Sequence, residues 1–463
     1  MKKHLRTLLG ALCALCLLIG TVGVLSSCQT KIVSGVVSAQ INEDGELILT
    51  YADGSKQNLG AVKGSDGAPG KDGTTGAPGK DGADGENGET GAPGKDGADG
   101  QDGSMIITGD GNDISAASAR GLRNTVSVLC AITANRGSGG TRVEEHYSVG
   151  SGVIYQMDKS EGDAFIITNY HLVYNVDSNT ADGISDDISV YLYGSETEEG
   201  AIPATYVGGS MYYDIAVLRV EDSELLRASD ACAVDVADSD RVTVGESAIA
   251  IGNAKGYGIS ASLGVVSVDS EYITMTAADE ETEVSFRVMR MDTAVNAGNS
   301  GGGIYDGEGK LIGIVNAKIV DDGVENIGYA IPSNIAKLVA DNVIDHCWGT
   351  NLSRVQRAML GVTVTAEDSR AVYDASTGLV TVEETVTVYE VVPGSLAASV
   401  LRTGDVLISA TLNGETKNIT RQHHVIDLML DARAGDTVSL RILRGGTETT
   451  VSVIVTQACI TEY

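Results

Sequence analysis

From about residue 125 onward the chain is a succession of short apolar runs broken by Gly, Asp and Asn. Thr125–Thr133 (T-V-S-V-L-C-A-I-T), Gly152–Tyr155, Ala164–Thr168, Ile188–Tyr193, Ile215–Val220, Ser247–Ile251, Leu263–Val268 and Leu311–Ala317 are rich in β-branched residues and bounded by turn formers. They predict strands, and so many short ones predict an all-β barrel or sandwich. Two segments have helical spacing instead. Ala116–Asn124 reads as a short helix. Ser333–His346 (S-N-I-A-K-L-V-A-D-N-V-I-D-H) pairs a Ser cap with an apolar stripe and reads as a helix closing this region. A further block, residues 355–459, holds strands, a P-G-S-L-A-A turn into helix and a final strand pair. Upstream, E-L-I-L-T-Y-A-D-G (Glu46–Gly54) predicts a hairpin-like element within residues 28–63, too short to own a core.

The N-terminal segment obeys other rules. A basic start, Met1–Arg6, precedes an uncharged apolar run, Leu8–Leu25, that ends in L-S-S-C. This is the pattern of a secretory signal over residues 1–27. Cys28 resembles the lipobox Cys of bacterial lipoproteins, which is lipidated and becomes the first residue of the mature chain. The competing reading is a membrane anchor with an incidental Cys; both put the rest of the chain outside the cytoplasm. Glycine then recurs at every third position from Gly64 to Gly103, fourteen times without a break. Strict Gly-X-Y marks a collagen-like triple helix, because only Gly fits at the crowded axis. The stalk is assigned to residues 64–105. Pro occurs there only at Pro69, Pro78 and Pro93, below the ~15–20% imino content of collagen. Each of Lys71, Lys80 and Lys95 adjoins an Asp, so interchain ion pairs can help. A disordered charged spacer is the alternative. As a triple helix the segment would reach roughly 120 Å at ~3 Å per residue.

Composition narrows the partners. With 463 residues and 42% hydrophobic content, the chain can build two or three real cores. A formal charge of −31 argues against nucleic acid and against adhesion to anionic lipid by charge. Beyond the leader, Cys130, Cys232, Cys347 and Cys459 are single and far apart, with no C-x-x-C and no local Cys/His group. No metal site and no cofactor are expected.

The segment D-T-A-V-N-A-G-N-S-G-G-G-I, Asp292–Ile304, places Ser300 amid glycines. A hydroxyl is a poor nucleophile without a base, and acyl transfer builds an oxyanion that needs N–H donors. Glycine lets backbone N–H groups approach a substrate with no Cβ in the way. Five histidines follow the leader: His146, His171, His346, His423 and His424. His171, in F-I-I-T-N-Y-H-L-V, directly follows an apolar strand, whereas His146 lies in the polar E-E-H-Y and His423 and His424 read as surface positions. Asp214 opens the apolar run Y-Y-D-I-A-V-L-R-V, an odd place for an acid that has no partner. His171, Asp214 and Ser300 follow the chain order of chymotrypsin-type triads, not that of α/β-hydrolases.

G-S-G-V-I (Gly150–Ile154), I-T-N-Y-H-L-V (Ile167–Val173), D-I-A-V-L-R-V (Asp214–Val220), A-I-G-N-A (Ala250–Ala254), D-T-A-V-N-A-G-N-S-G-G (Asp292–Gly302) and G-Y-A-I-P-S (Gly328–Ser333) occur in that order. Together they closely resemble the HtrA/DegP family of trypsin-like serine proteases. The resemblance implies a mainly β fold, with a chymotrypsin-like double β-barrel protease domain over residues 116–349. It implies His171 as general base, Asp214 as its orienting acid and Ser300 as nucleophile. The N–H groups of Gly298 and Ser300 would form the oxyanion hole. One departure is Gly303, where the family usually has Pro; a Gly there is expected to loosen the following strand. R-A-M-L-G-V (Arg357–Val362), V-V-P-G-S-L-A-A (Val391–Ala398), T-G-D-V-L-I (Thr403–Ile408) and A-G-D-T-V-S-L-R-I-L-R (Ala434–Arg444) resemble a small α+β PDZ domain, residues 355–459. Such a domain adds a C-terminal peptide to a sheet edge, with Met359, Leu360 and Gly361 as the carboxylate-binding loop. The implied protein is a surface-anchored endopeptidase of extracytoplasmic protein quality control. It would cleave misfolded or unfolded proteins after small aliphatic residues, and it would be a homotrimer on the membrane through lipidated Cys28. The alternative is a stalked surface binding protein, an adhesin or holdase, that keeps the protease fold without turnover.

Overall fold

Each position of strand β9 (Ile215–Val220) is buried, and its alternate residues serve two different cores. Ala216, Leu218 and Val220 fill one barrel, while Ile215 and Val217 point out of it into the seam against a second. A strand with both faces covered is largely apolar, which is why this run reads I-A-V-L-R-V, its one charged residue, Arg219, being paired with Asp163. Strand β10 (Ser247–Gly252) does the same for the other barrel. Ala248 and Ala250 line its interior, and Ile249 and Ile251 face the seam. Each such seam side chain contributes about 1.5–3 kcal/mol on full burial.

In this computed structural model, residues 36–41, 46–51, 56–61, 113–136, 142–316, 327–376 and 378–463 are described. The leader, Cys28 and the Gly-X-Y segment lie outside them. The chain divides into two units, Met1–Asp99 and Gly100–Tyr463. In the first, β1 (Val36–Ile41), β2 (Glu46–Tyr51) and β3 (Lys56–Ala61) form an antiparallel sheet, one strand more than a hairpin.

The second unit begins with a helix, Ile114–Leu122, capped by the Asp113 carboxylate. The first closed barrel has strand order β4-β5-β6-β9-β8-β7. It adds β4 (Thr125–Arg136), β5 (Arg142–Asp158), β6 (Asp163–Thr168), β7 (Asp187–Leu192) and β8 (Ile202–Ser210) to β9. The second has order β10-β11-β12-β15-β14-β13. It adds β11 (Ser260–Thr276), β12 (Glu283–Met291), β13 (Gly303–Tyr305), β14 (Leu311–Val315) and β15 (Gly328–Pro332) to β10. The helix Ser333–His346 seals the seam with Ile335, Ala336, Val339, Ala340 and Val343. Its expected Ser cap is not found. Pro332 holds the cap position, and Ser333 lies inside the helix with its hydroxyl on the Ala237 carbonyl. The cap is tertiary instead: Ser239 Oγ accepts the Asn334 N–H at 3.1 Å.

The C-terminal block is a sheet of order β17-β18-β19-β21-β22, with β20 on β19. Its strands are β17 (Val362–Asp374), β18 (Leu379–Val391), β19 (Val406–Leu412), β20 (Glu415–Asn418), β21 (Thr437–Arg444) and β22 (Thr447–Ile454). The helix His423–Asp431 packs on this sheet through Val425 and Met429. β16 (Gln356–Ala358), in the connection from the second barrel, pairs with β23 (Ile460–Glu462). Among the described residues no helix is long and apolar enough to cross a membrane.

Candidate active site

β6 ends at Thr168, and the chain turns through Asn169 into a single helical turn, Tyr170–Val173. That turn places His171 at the seam of the barrels. Asp214 immediately precedes β9 and adopts φ +52°, a left-handed conformation unusual for a side chain other than Gly. Its carbonyl accepts the Tyr170 N–H at 3.2 Å and Asn169 Nδ2–H at 2.8 Å, which hold the strained residue. The carboxylate then faces His171. Oδ2 accepts His171 Nδ1–H at 2.7 Å, and Oδ1 accepts the His171 backbone N–H at 2.9 Å. Asn316, at the end of β14, donates Nδ2–H to Oδ2 at 3.0 Å. Asp214 is 5% exposed, so this carboxyl group is buried with both of its oxygens engaged. Fixed by both oxygens, the imidazole presents Nε2 away from Asp214.

Ser300 is buried on the loop entering β13. Gly298 at φ +95° and Gly301 at φ +81° flank it. A Cβ at Gly298 would lie 2.2 Å from the Asn253 carbonyl oxygen, and one at Gly301 would lie 2.2 Å from that of Ser151. Neither position can carry a side chain. The same Gly301 Cβ would sit 3.1 Å from Asn169 N, so the serine loop rests directly on the residues leading into His171. Four consecutive carbonyls of the loop are tied. Ala297 O accepts the Lys255 N–H at 2.7 Å, Asn299 O the Gly302 N–H at 2.9 Å and Ser300 O the Ser151 N–H at 2.8 Å. Gly298 O accepts Ser151 Oγ–H at 2.8 Å. C=O and N–H point oppositely in a trans peptide. The Gly298 N–H therefore points to the side away from Lys255.

Gly303 does not loosen β13. A Cβ there would fall 2.4 Å from Tyr305 Cζ, so the glycine leaves room for that ring. Tyr305 is fully buried, its hydroxyl accepting from Thr125 Oγ1 at 2.8 Å and donating to Asn124 Oδ1 at 2.5 Å.

Comparison with known proteins decides the family. A trypsin-like peptidase domain profile matches residues 150–314, a PDZ domain profile residues 358–455, and a collagen triple helix repeat profile residues 55–112. "Serine protease Do-like HtrA" of Lactococcus lactis subsp. cremoris is 32% identical over 321 residues, 66% of this chain and 70% of that protein. The chain belongs to the HtrA family of serine proteases. The protein of the same description in Bacillus subtilis is 34% identical over 312 residues; the match spans 66% of this chain and 62% of that protein's length. "Periplasmic serine endoprotease DegP" of Escherichia coli is 30% identical over 325 residues, 70% of this chain and 60% of that one.

In this HtrA-family chain the PDZ groove runs between edge strand β17 and the helix His423–Asp431. It is a cavity of about 490 Å³ with Leu360, Val362, Val364, Val425 and Met429 on its walls. Met359 departs from its expected role. Its N–H already donates to the Cys459 carbonyl at 2.8 Å, and its side chain is exposed. Leu360 and Gly361 follow it, Leu360 buried and Gly361 at φ +76° against Ser395.

His423 also departs from expectation: it is 4% exposed, not a surface residue. The fold brings Asp240, His423 and His424 together, with ligating atoms within 4.8 Å. Asp240 is nevertheless held by Arg287 at 2.9 Å, which bridges to Asp427 at 2.9 Å and ties the PDZ helix to the second barrel. Burial pushes the Asp427 carboxyl up to about 6 and the His423 imidazole down to about 3. The four cysteines among the described residues are free thiols, Cys130 and Cys347 buried, Cys232 and Cys459 partly so. Two contacts at the site went unnoticed in the sequence. Ser151 lies in G-S-G-V-I, where only the motif gave a signal; Asn316 had none.

Proposed function

We propose that the chain is a serine endopeptidase with His171, Asp214 and Ser300 as its catalytic triad. The carrying observation is the double engagement of His171 by the buried Asp214 carboxylate, beside the glycine-walled serine loop. Ser300 Oγ attacks the scissile carbonyl while His171 Nε2 takes its proton. Asp214 orients the imidazole and stabilises its cation. The N–H groups of Gly298 and Ser300 hold the oxyanion. His171 then gives the proton to the leaving amine, and an acyl ester remains on Ser300. Water attacks that ester with His171 again as base, which releases the acid and restores the serine.

The reading extends to setting and substrates. Cys28 carries lipid, and the protein sits outside the cytoplasm on a Gly-X-Y stalk. Unfolded or misfolded proteins are cleaved after small aliphatic residues. The groove at Leu360 and Gly361 takes extended C-terminal peptides, which its apolar walls and open strand edge support. The stalk and the family's trimeric architecture agree on a homotrimer.

Casein hydrolysis by wild type and by Ser300→Ala tests the triad. The variant is expected to lose turnover; equal cleavage by both would refute the assignment.

A further inference from the structure

Among the described residues, Ser151 is the one whose side chain restrains the serine loop's carbonyls from Ala297 to Ser300; backbone amides tie the others. It is fully buried on β5, walled by Gly252, Gly301 and Gly302, where an added Cβ would lie 2.8 Å from its Oγ, 2.2 Å from its O and 3.2 Å from its Cβ respectively. All its polar atoms are spent. Oγ accepts the Asn253 N–H at 2.8 Å, so its single proton goes to the Gly298 carbonyl. Its N–H holds the Ser300 carbonyl at 2.8 Å, and its own carbonyl accepts Thr168 Oγ1–H at 2.7 Å. Thr168 is the residue from which the chain turns toward His171. One residue therefore joins the strand that delivers the base, the loop that carries the nucleophile, and the Asn253–Lys255 turn beneath it.

From this geometry we infer that Ser151 is a positioning residue. Its hydroxyl fixes the Gly298–Asn299 peptide and so keeps the N–H groups of Gly298 and Ser300 aimed at the developing oxyanion. Gly298 has no Cβ and sits at φ +95°, a conformation that leaves its ψ to be set by such a contact. With the hydroxyl gone, the Gly298 carbonyl and the Asn253 N–H both lose this partner, and the Gly298–Asn299 peptide is left with the bond from its N–H to the Asn296 carbonyl at 2.9 Å. The inference rests on the catalytic reading of Ser300 and His171.

The effect belongs to the transition state, so kcat should fall and KM should not. For Ser151→Ala in the full-length chain the expected loss in kcat is roughly 10–100-fold, bounded by the ~10²–10³ that removal of a whole oxyanion donor costs. A peptide boronic acid, whose tetrahedral adduct uses the same donors, should bind more weakly by a similar factor. Ser151→Cys, which keeps a weak donor and acceptor, should recover part of both. A lowered Tm with unchanged kcat per folded molecule and unchanged boronate affinity would make the role purely structural and overturn the inference. The Ser300→Ala control separates the two claims. If that variant still cleaves, the catalytic reading fails; if it is inactive while Ser151→Ala matches wild type, only the positioning role fails.

Discussion

Asp214 shows how much a single side chain depends on its neighbours. A carboxyl group at 5% exposure is tolerable because both of its oxygens are engaged, by His171 twice and by Asn316 once. Asn316 Nδ2–H to a carboxylate is a charge-assisted bond of the kind that contributes about 1.5–3 kcal/mol. At about 1.4 kcal/mol per tenfold in rate, Asn316→Ala is expected to lower kcat/KM roughly 10–100-fold. Steady-state kinetics on a peptide substrate would check it, and a change under twofold would mean that His171 alone aligns the acid. The positive φ of Asp214 belongs to the same account. The strained backbone is held by Asn169 and Tyr170, the residues that lead into His171, so Asp214 and His171 are set by one local network.

Strand ends and turns carry the next level of order. In T-G-D-V-L-I, Asp405 stands just before β19 and is only 1% exposed. Its carboxylate accepts Arg444 Nε–H at 2.8 Å, Arg444 Nη2–H at 2.7 Å and the Arg402 N–H at 2.8 Å. Burial opposes the charged form, but the Arg444 and Arg402 bonds outweigh it and hold the carboxyl below its usual value of 3.8. A depressed folded-state value means a contribution that is complete above 3.8 and is lost as pH falls below it. Asp405→Asn is therefore expected to cost about 1.5–3 kcal/mol at pH 7, and the Tm gap to wild type should narrow toward pH 3. A gap that stays constant across that range would exclude the charge as its source. β9 is I-A-V-L-R-V and its limits match the expected run, whereas β8 (I-P-A-T-Y-V-G-G-S), β12 (E-V-S-F-R-V-M-R-M), β13 (G-I-Y) and β15 (G-Y-A-I-P) were not anticipated, and of these only β12 holds neither Pro nor Gly. Pro and Gly punctuate loops in most contexts, and here barrel closure overrides that preference.

Assembly is where the repeat segment matters. A Gly-X-Y run can order only as three chains, because a lone chain cannot supply the other two strands. If stalk and protease share one threefold axis, sizing at micromolar concentration should give trimers for the ectodomain with and without residues 64–103. Two monomeric species would refute the trimer, and a trimer lost with the stalk would assign it to the stalk alone. Within the unit Gly100–Tyr463, the Arg287 bridge to Asp240 and Asp427 ties the PDZ helix to the second barrel.

The apolar runs of β9 and β10, the helical stripe from Ser333 to His346 and the glycine period were readable from residue order, because each is a local pattern that burial or packing imposes on neighbouring positions. The pairing of His171 with Asp214 was expected from motif resemblance and is met in the fold as two hydrogen bonds. What no local pattern encodes is the set of contacts between distant positions: Ser151 on the serine loop, Asn316 on Asp214, Ser239 capping a remote helix, the Met359 amide taken by Cys459. Those partners meet only when two barrels close and a sheet docks on them. A polar side chain looks the same in sequence whether its partner is another distant residue or water.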